Sequence, residues 1–357
     1  MKDLILLPYR LVNQGITGKG FENTQSLFRR IGCIQAQEYP MAKWAVGCRI
    51  RNITDESVEK DFNEGRILRT HLLRPTWHFV LPEDIRWILK LTAPGIKAQS
   101  APYHKKLGID RAVLSQSKQI IEKHLSKHGP ITRKQIISLF EKEGIRTDEN
   151  RTSFLIMDAE LDALICSAGK TENQFAYGLL QEPVHSASPK NREEALAELA
   201  KRYFYTRGPA TVQDFAWWSG LSVTDAGKGL NLIRQQLRSE KTEQKILYYP
   251  ADQLPPDKDP LNIYLLPAYD EYTVAYKDRQ QILNLSDKPV TGSGLRPVII
   301  YHGKIAGVWR WSGPKNRVTI ELKLLQSGIP LPPTPDSFIK SYSDFTGKKI
   351  VVRFIAV

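Results

Sequence analysis

Gly129-Pro130-Ile131-Thr132-Arg133-Lys134-Gln135-Ile136 and Gly208-Pro209-Ala210-Thr211-Val212-Gln213-Asp214-Phe215 are two copies of one short pattern. In each, a Gly-Pro turn leads to a threonine able to cap a new helix, with an apolar residue at the fourth position beyond it. The first copy follows an amphipathic helix carrying Leu114, Ile120, Ile121 and Leu125, and it precedes apolar stretches at 136–140 and 154–161. The second follows 195–205 and precedes Trp217-Trp218-Ser219-Gly220-Leu221, a glycine turn, and a helix expected to run through Leu230, Ile233 and Leu237. Both then enter strand-like pieces, 175–179 and 245–249. Helix, turn, helix and hairpin is the winged-helix plan.

The N-terminal third reads the same way. Helices are expected at 24–31 and 55–65, ahead of an extended run at 68–80 in which Pro75 marks an edge strand or bend. Pro82-Glu83-Asp84 then opens a helix with a proline and two acids in its first turn. After Leu254-Pro255-Pro256-Asp257 the composition turns to strands, at 263–266, 296–301, 304–311 and 317–322, with tight turns at His302-Gly303 and at 312–316. The expected fold class is α+β: tandem winged-helix units at 1–112, 113–188 and 189–255, then a β-rich C-terminal domain at 256–357.

With 357 residues, 41% of them apolar and 25% charged, the chain has ordinary globular composition and length for several cores. Fifty-one Lys and Arg against 38 Asp and Glu leave a net charge of +13, spread along the whole chain, which favours polyanionic partners, nucleic acid first and an anionic membrane surface second. The apolar stretch Leu4-Ile5-Leu6-Leu7 is too short and too interrupted for a secretory signal, and no segment reads as a membrane span, so a cytoplasmic protein is expected. Cys33, Cys48 and Cys166 form no C-x-x-C pair and read as reduced, buried thiols. The seven histidines lack ligand spacing, so neither a metal nor a cofactor is expected.

Gln35 and Gln37, in Gly32-Cys33-Ile34-Gln35-Ala36-Gln37, form the candidate site. Side chains at i and i+2 point the same way from an extended backbone, and two amides so placed make a fork able to hold a water or a polar ligand edge. The run from Arg69 to His78 is basic and extended, with His71 and Arg74 the positions best suited to a phosphate backbone. Lys43, Arg69, Arg74, His78, Lys315 and Arg317 make up the expected DNA contacts, the last two at a hairpin tip that would enter a groove. Asp270 and Glu271 are adjacent, so their carboxylates diverge, and a structural role beside Arg279 is expected in place of catalysis.

Together, Ile34-Gln35-Ala36-Gln37, the run from Arg69 to His78, Gly208-Pro209-Ala210-Thr211 with Trp218-Ser219-Gly220-Leu221, and Leu265-Leu266-Pro267-Ala268-Tyr269-Asp270-Glu271-Tyr272 resemble the AlkZ-like family of winged-helix DNA glycosylases. The resemblance spans nearly the whole chain. It implies a concave DNA-binding face and a monofunctional glycosylase acting as a monomer on alkylated duplex DNA. In that family a Gln-x-Gln, or Gln-x-Asp in a sister group, is the motif that hydrolyses the N-glycosidic bond of N7-alkylated purines, and some members unhook interstrand crosslinks. Gln35 and Gln37 fall on that motif, with His71 as expected catalytic support. Monoadduct and crosslink, flipped and unflipped base all stay open. The alternative is a non-catalytic DNA-binding protein or transcription regulator that uses its winged helices without chemistry. A preferred sequence on undamaged DNA would favour it, although tandem units in one chain suit a monomer better than a dimer on a palindrome.

Overall fold

The computed structural model describes residues 3–171, 174–180, 189–242, 245–253, 263–283, 296–313, 317–325 and 336–355. After α1 (Asp3–Asn13), the chain forms α2 (Thr24–Ile31), β1 (Cys33–Gln35), α3 (Tyr39–Gly47), α4 (Asp55–Asn63), β2 (Leu68–Leu72) and β3 (Thr76–Val80). The long α5 (Pro82–Lys106) leads to α6 (Arg111–His128), β4 (Ile131–Thr132), α7 (Arg133–Lys142), α8 (Arg151–Leu161), β5 (Ile165–Thr171) and β6 (Gln174–Leu179). Next come α9 (Arg192–Arg207), α10 (Val212–Ser219), α11 (Val223–Leu232), β7 (Leu237–Lys241) and β8 (Ile246–Pro250). The order helix, strand, helix, helix, strand, strand is complete in the first two sets. In the third, an isolated bridge from Ala210 to Tyr248 takes the place of the first strand. The fold is α+β.

Local chemistry explains the repeat. Thr132 and Gln135 form a reciprocal capping box at the start of α7. Thr211 and Asp214 do the same for α10, each backbone N–H donating to the other's side-chain oxygen at 3.0 Å. Four residues beyond each threonine, Ile136 and Phe215 are fully buried. Helix α3, with a proline in its first turn, had no counterpart in the sequence reading, and neither did α1. Leu237 lies in β7 and not in the preceding helix.

The described residues pack as two compact units, one of 1–59, 197–218 and 222–357, the other of 60–196 and 219–221. Their limits fall inside α4 and α9. In the second unit, strands run in the order β3-β2-β5-β6-β4. Ile121, Leu125, Ile131, Ile136, Phe140, Leu155 and Ile156 form a core beside them. β2 and β3 are a hairpin turned through Leu73, Arg74 and Pro75, with Leu73 at φ 60°.

The first unit holds a five-stranded sheet, ordered β13-β12-β11-β10-β9, from β9 (Ile263–Leu266), β10 (Val298–Tyr301), β11 (Lys304–Ser312), β12 (Arg317–Leu324) and β13 (Lys349–Ile355). A short helix, α12 (Glu271–Val274), follows β9, and α13 (Asp336–Thr346) precedes β13. The strand-rich tail was legible, but α13 and the parallel β12–β13 pairing were not. Trp44 of α3, Phe338 and Tyr342 of α13 and Trp309 of β11 form an edge-to-face aromatic cluster on one side of the sheet.

Candidate active site

Gly32 ends α2 at φ 85°, a conformation that favours glycine, and turns the chain into β1. Cys33, Ile34 and Ala36 have no exposed surface and Gln35 only 5%, whereas Gln37 is exposed where the chain turns towards α3. The extended segment expected to carry both glutamines ends at Gln35, so Gln35 is nearly enclosed while Gln37, two residues on, is exposed.

A single carboxylate anchors this strand. Glu271, fully buried, accepts the Gln35 backbone N–H on Oε1 at 3.0 Å. Its Oε2 accepts from Arg207 Nε at 3.1 Å, Arg207 Nη2 at 2.6 Å and Trp218 Nε1 at 2.8 Å. Arg207 also donates to the carbonyls of Ile31 at 2.8 Å and Cys33 at 3.1 Å, and it lies over the Trp218 ring at 4.2 Å. Backbone groups at 31, 33 and 35 are thus all held by one buried ion pair. Such pairs repay the cost of desolvation only when their hydrogen-bonding capacity is filled, as it is here.

Asp270 takes a different arginine. It receives two hydrogen bonds of 2.8 Å from Arg49, itself bonded to the Ala45 carbonyl and to Gln14 Oε1. Burial pulls the Arg49 guanidinium down, but Asp270 beside it carries the balance above the ordinary arginine value. Gln14 continues to Tyr276, whose hydroxyl donates to the Arg207 carbonyl, so the two ion pairs share one network. The adjacent acids do diverge into structural roles, but their partners are Arg49 and Arg207 in place of Arg279. Neither the pairing nor the convergence on Gln35 had a sequence signal of its own.

The basic run lies in the second unit, and most of its expected contacts face inward. Arg69 is 6% exposed, sandwiched against Trp77 at 4.0 Å and Phe175 at 4.6 Å. His78 is fully buried, with Nδ1 2.9 Å from the Thr76 carbonyl. These two are corrected from DNA contacts to interior residues, because Arg69 lies between two aromatic rings and His78 is in the enclosed half of β3. Arg74 is half-buried at the hairpin turn. His71 lies against Trp77 at 4.1 Å, with Nδ1 2.5 Å from Oε2 of buried Glu160, an acid the sequence reading missed. Burial pushes Glu160 upward, opposed by His71 and Arg69.

In the first unit Lys43 is also corrected: its ammonium is 2.8 Å from both Asp55 and Glu59, with the side chain 9% exposed. Arg317 is exposed at the start of β12, and Lys315 falls outside the described residues. Among the described residues Cys33, Cys48 and Cys166 form no disulfide; burial pushes Cys48 and Cys166 up to about 12. Cys48 is only half-buried as a whole residue. Among the described residues no helix is long and apolar enough to cross a membrane.

The model of the family described as DNA glycosylase AlkZ-like matches residues 28–328, which include the glutamine strand, Arg207, Trp218 and Glu271. The chain belongs to the AlkZ-like DNA glycosylase family. It is similar to the interstrand DNA cross-link repair glycosylase of Streptomyces sahachiroi, with 20% identity over 319 residues, covering 84% of this chain and 85% of that protein. The solved structure of Streptomyces sahachiroi DNA glycosylase AlkZ shares its fold, with a TM-score of 0.80, 16% identity and 99% of each chain covered. As an AlkZ-like glycosylase, the chain is a DNA-binding hydrolase.

Proposed function

We propose that this glycosylase hydrolyses the N-glycosidic bond of cationic N7-alkylated purines, with Gln35 and Gln37 positioning the attacking water. The observation that carries the reading is the clamp on β1: the backbone of the Gln-x-Gln strand is fixed at 31, 33 and 35 by Arg207 and Glu271. Positioning catalysis depends on such fixed geometry.

The chemistry suits amides. Alkylation at N7 gives the base a positive charge, so it leaves as a neutral group without a strong acid from the enzyme. A glutamine orients water through its carbonyl oxygen and amide protons but takes a proton weakly. An oxocarbenium-like transition state then needs a well-placed water more than a strong base. Gln37, exposed, is the water-holder; Gln35, nearly enclosed, is its partner or an anchor on the lesion. Lys43 supports a monofunctional reaction, because its ammonium is engaged by two carboxylates and is a poor candidate for an imine-forming amine. The relative's name, which specifies interstrand cross-link repair, extends the proposed substrates to crosslinks as well as monoadducts. A DNA-bound monomer needs no second copy to supply these groups.

Release of 7-methylguanine from alkylated duplex DNA tests the reading. The wild type is expected to exceed the spontaneous rate, and Gln37→Ala to fall back towards it. Equal, spontaneous rates for both proteins would remove the catalytic assignment and leave a protein that only binds.

A further inference from the structure

The two faces of the five-stranded sheet are unlike. Trp309 packs on α13 from one face. The opposite face is covered at its β9–β10 end by Leu7, Leu11 and Ile282, which pack with Leu266, Val298 and Ile300. At β11–β13 the side chains on that second face are exposed or half-buried among the described residues.

Ladder register decides which side chains stand there, because directly paired residues share a face and so do residues two apart on a strand. Val298 is opposite Val308, and from Val308 the face runs to Lys323 and Ile355. The next rows are Arg310, Glu321 and Arg353, then Ser312, Thr319 and Val351, then Arg317 and Lys349. Arg310, Arg317, Lys323, Lys349 and Arg353 are all exposed. Arg296, also exposed, borders a hollow on this face together with Arg310, Lys323 and Ile355. Against these cations, the register places one carboxylate among the described residues of the face, Glu321. It pairs with Arg310, whose side chain nevertheless remains 74% exposed.

Like charges placed directly opposite each other, such as Arg317 and Lys349, disfavour the sheet that carries them. A polyanion laid across the strands would reverse that penalty. We propose that this β11–β13 face is a second DNA contact, holding the phosphate backbone of duplex DNA through Arg310, Lys323, Arg353 and their neighbours. Arginine and lysine heads on a flat sheet meet phosphates without reading base edges, so the contact is independent of sequence. It requires that the protein bind DNA, as its family does, and is independent of the glutamine chemistry.

The test compares the full-length wild type with R310Q/K323Q/R353Q by fluorescence anisotropy on undamaged duplex DNA, across about 50 to 200 mM salt. Because no base is released, failure of the N7-alkylpurine reading would leave this measurement intact. Loss of three phosphate contacts should make the log–log salt slope shallower by roughly 2 to 3 and weaken binding at least about tenfold at the low-salt end. R310K/K323R/R353K, which keeps the charge, should retain both. The proposal is overturned if the neutral variant keeps its slope and affinity, or if the charge-conserving variant loses them equally. It is also overturned if neutralisation abolishes binding to anionic vesicles or an acidic peptide while DNA binding persists.

Discussion

Glu271 in the first unit and Glu160 in the second are both glutamates with no exposed surface, yet they are built for opposite ends. Glu271 collects the Gln35 N–H, two N–H groups of Arg207 and the Trp218 indole N–H. Glu160 has His71 on one oxygen, while its other oxygen is buried with no protein partner among the described residues. Burial alone therefore does not make a carboxylate an anchor; the number of donors aimed at it does. A saturated carboxylate fixes the backbone around it, and a half-satisfied one stays titratable.

Removing the anchor should produce the largest effect. Glu271→Ala leaves the Arg207 guanidinium buried without its counter-ion, at an expected loss of about 3–5 kcal/mol in urea unfolding and with base excision abolished. The pair E271L/R207M sharpens the point. Replacing both charges with apolar groups should recover most of that stability, yet excision should stay lost, because residues 31, 33 and 35 lose their clamp. Recovery of excision along with stability would show that Glu271 supports the fold without positioning the strand.

Gln37→Ala separates the anchored strand from the chemistry it carries. Single-turnover excision should drop about 100-fold while the unfolding midpoint barely moves, the side chain being exposed. Trp218→Phe takes one donor from Glu271 and should cost about 2 kcal/mol, as expected for a hydrogen bond to a charged group.

Glu160→Gln should have the smallest effect of the series and is best read from pH dependence. With its pKa raised by burial, Glu160 holds its proton more tightly folded than unfolded. Its contribution to stability is then greatest at low pH and falls as pH rises from the ordinary carboxylate range through the raised value. Urea midpoints measured across that window should decline less steeply in E160Q than in the wild type. Parallel curves would show that His71 already compensates the charge and would erase the contrast with Glu271.

The helices and turns were legible because their signals are local. Thr132 and Thr211 cap the next turn of their own helices, and His302-Gly303 reverses the chain with both residues at positive φ. The glutamine pair was legible only as a spacing: Gln35 closes β1 and is nearly enclosed, while Gln37 sits exposed in the bend beyond it. The basic strand misled for a matching reason. The basic residues from Arg69 to His78 suggest a phosphate-facing surface, but most of β2 and the second half of β3 are enclosed, and Arg69 and His78 went inside. The helix α13 and strand β13 were missed because parallel pairing requires no turn signal between the partners.

By itself, then, the sequence determined the two Gly-Pro-x-Thr caps, many of the helices and strands around them, and a positive charge that calls for a polyanion. Only the tertiary structure decided that Glu271 would meet Gln35 across 236 residues of chain, and that Asp270 would turn to Arg49. The physical reason is range. Capping and strand alternation are fixed by neighbours within a few residues, whereas a buried charge takes its partner from whichever distant segment the folded core brings against it.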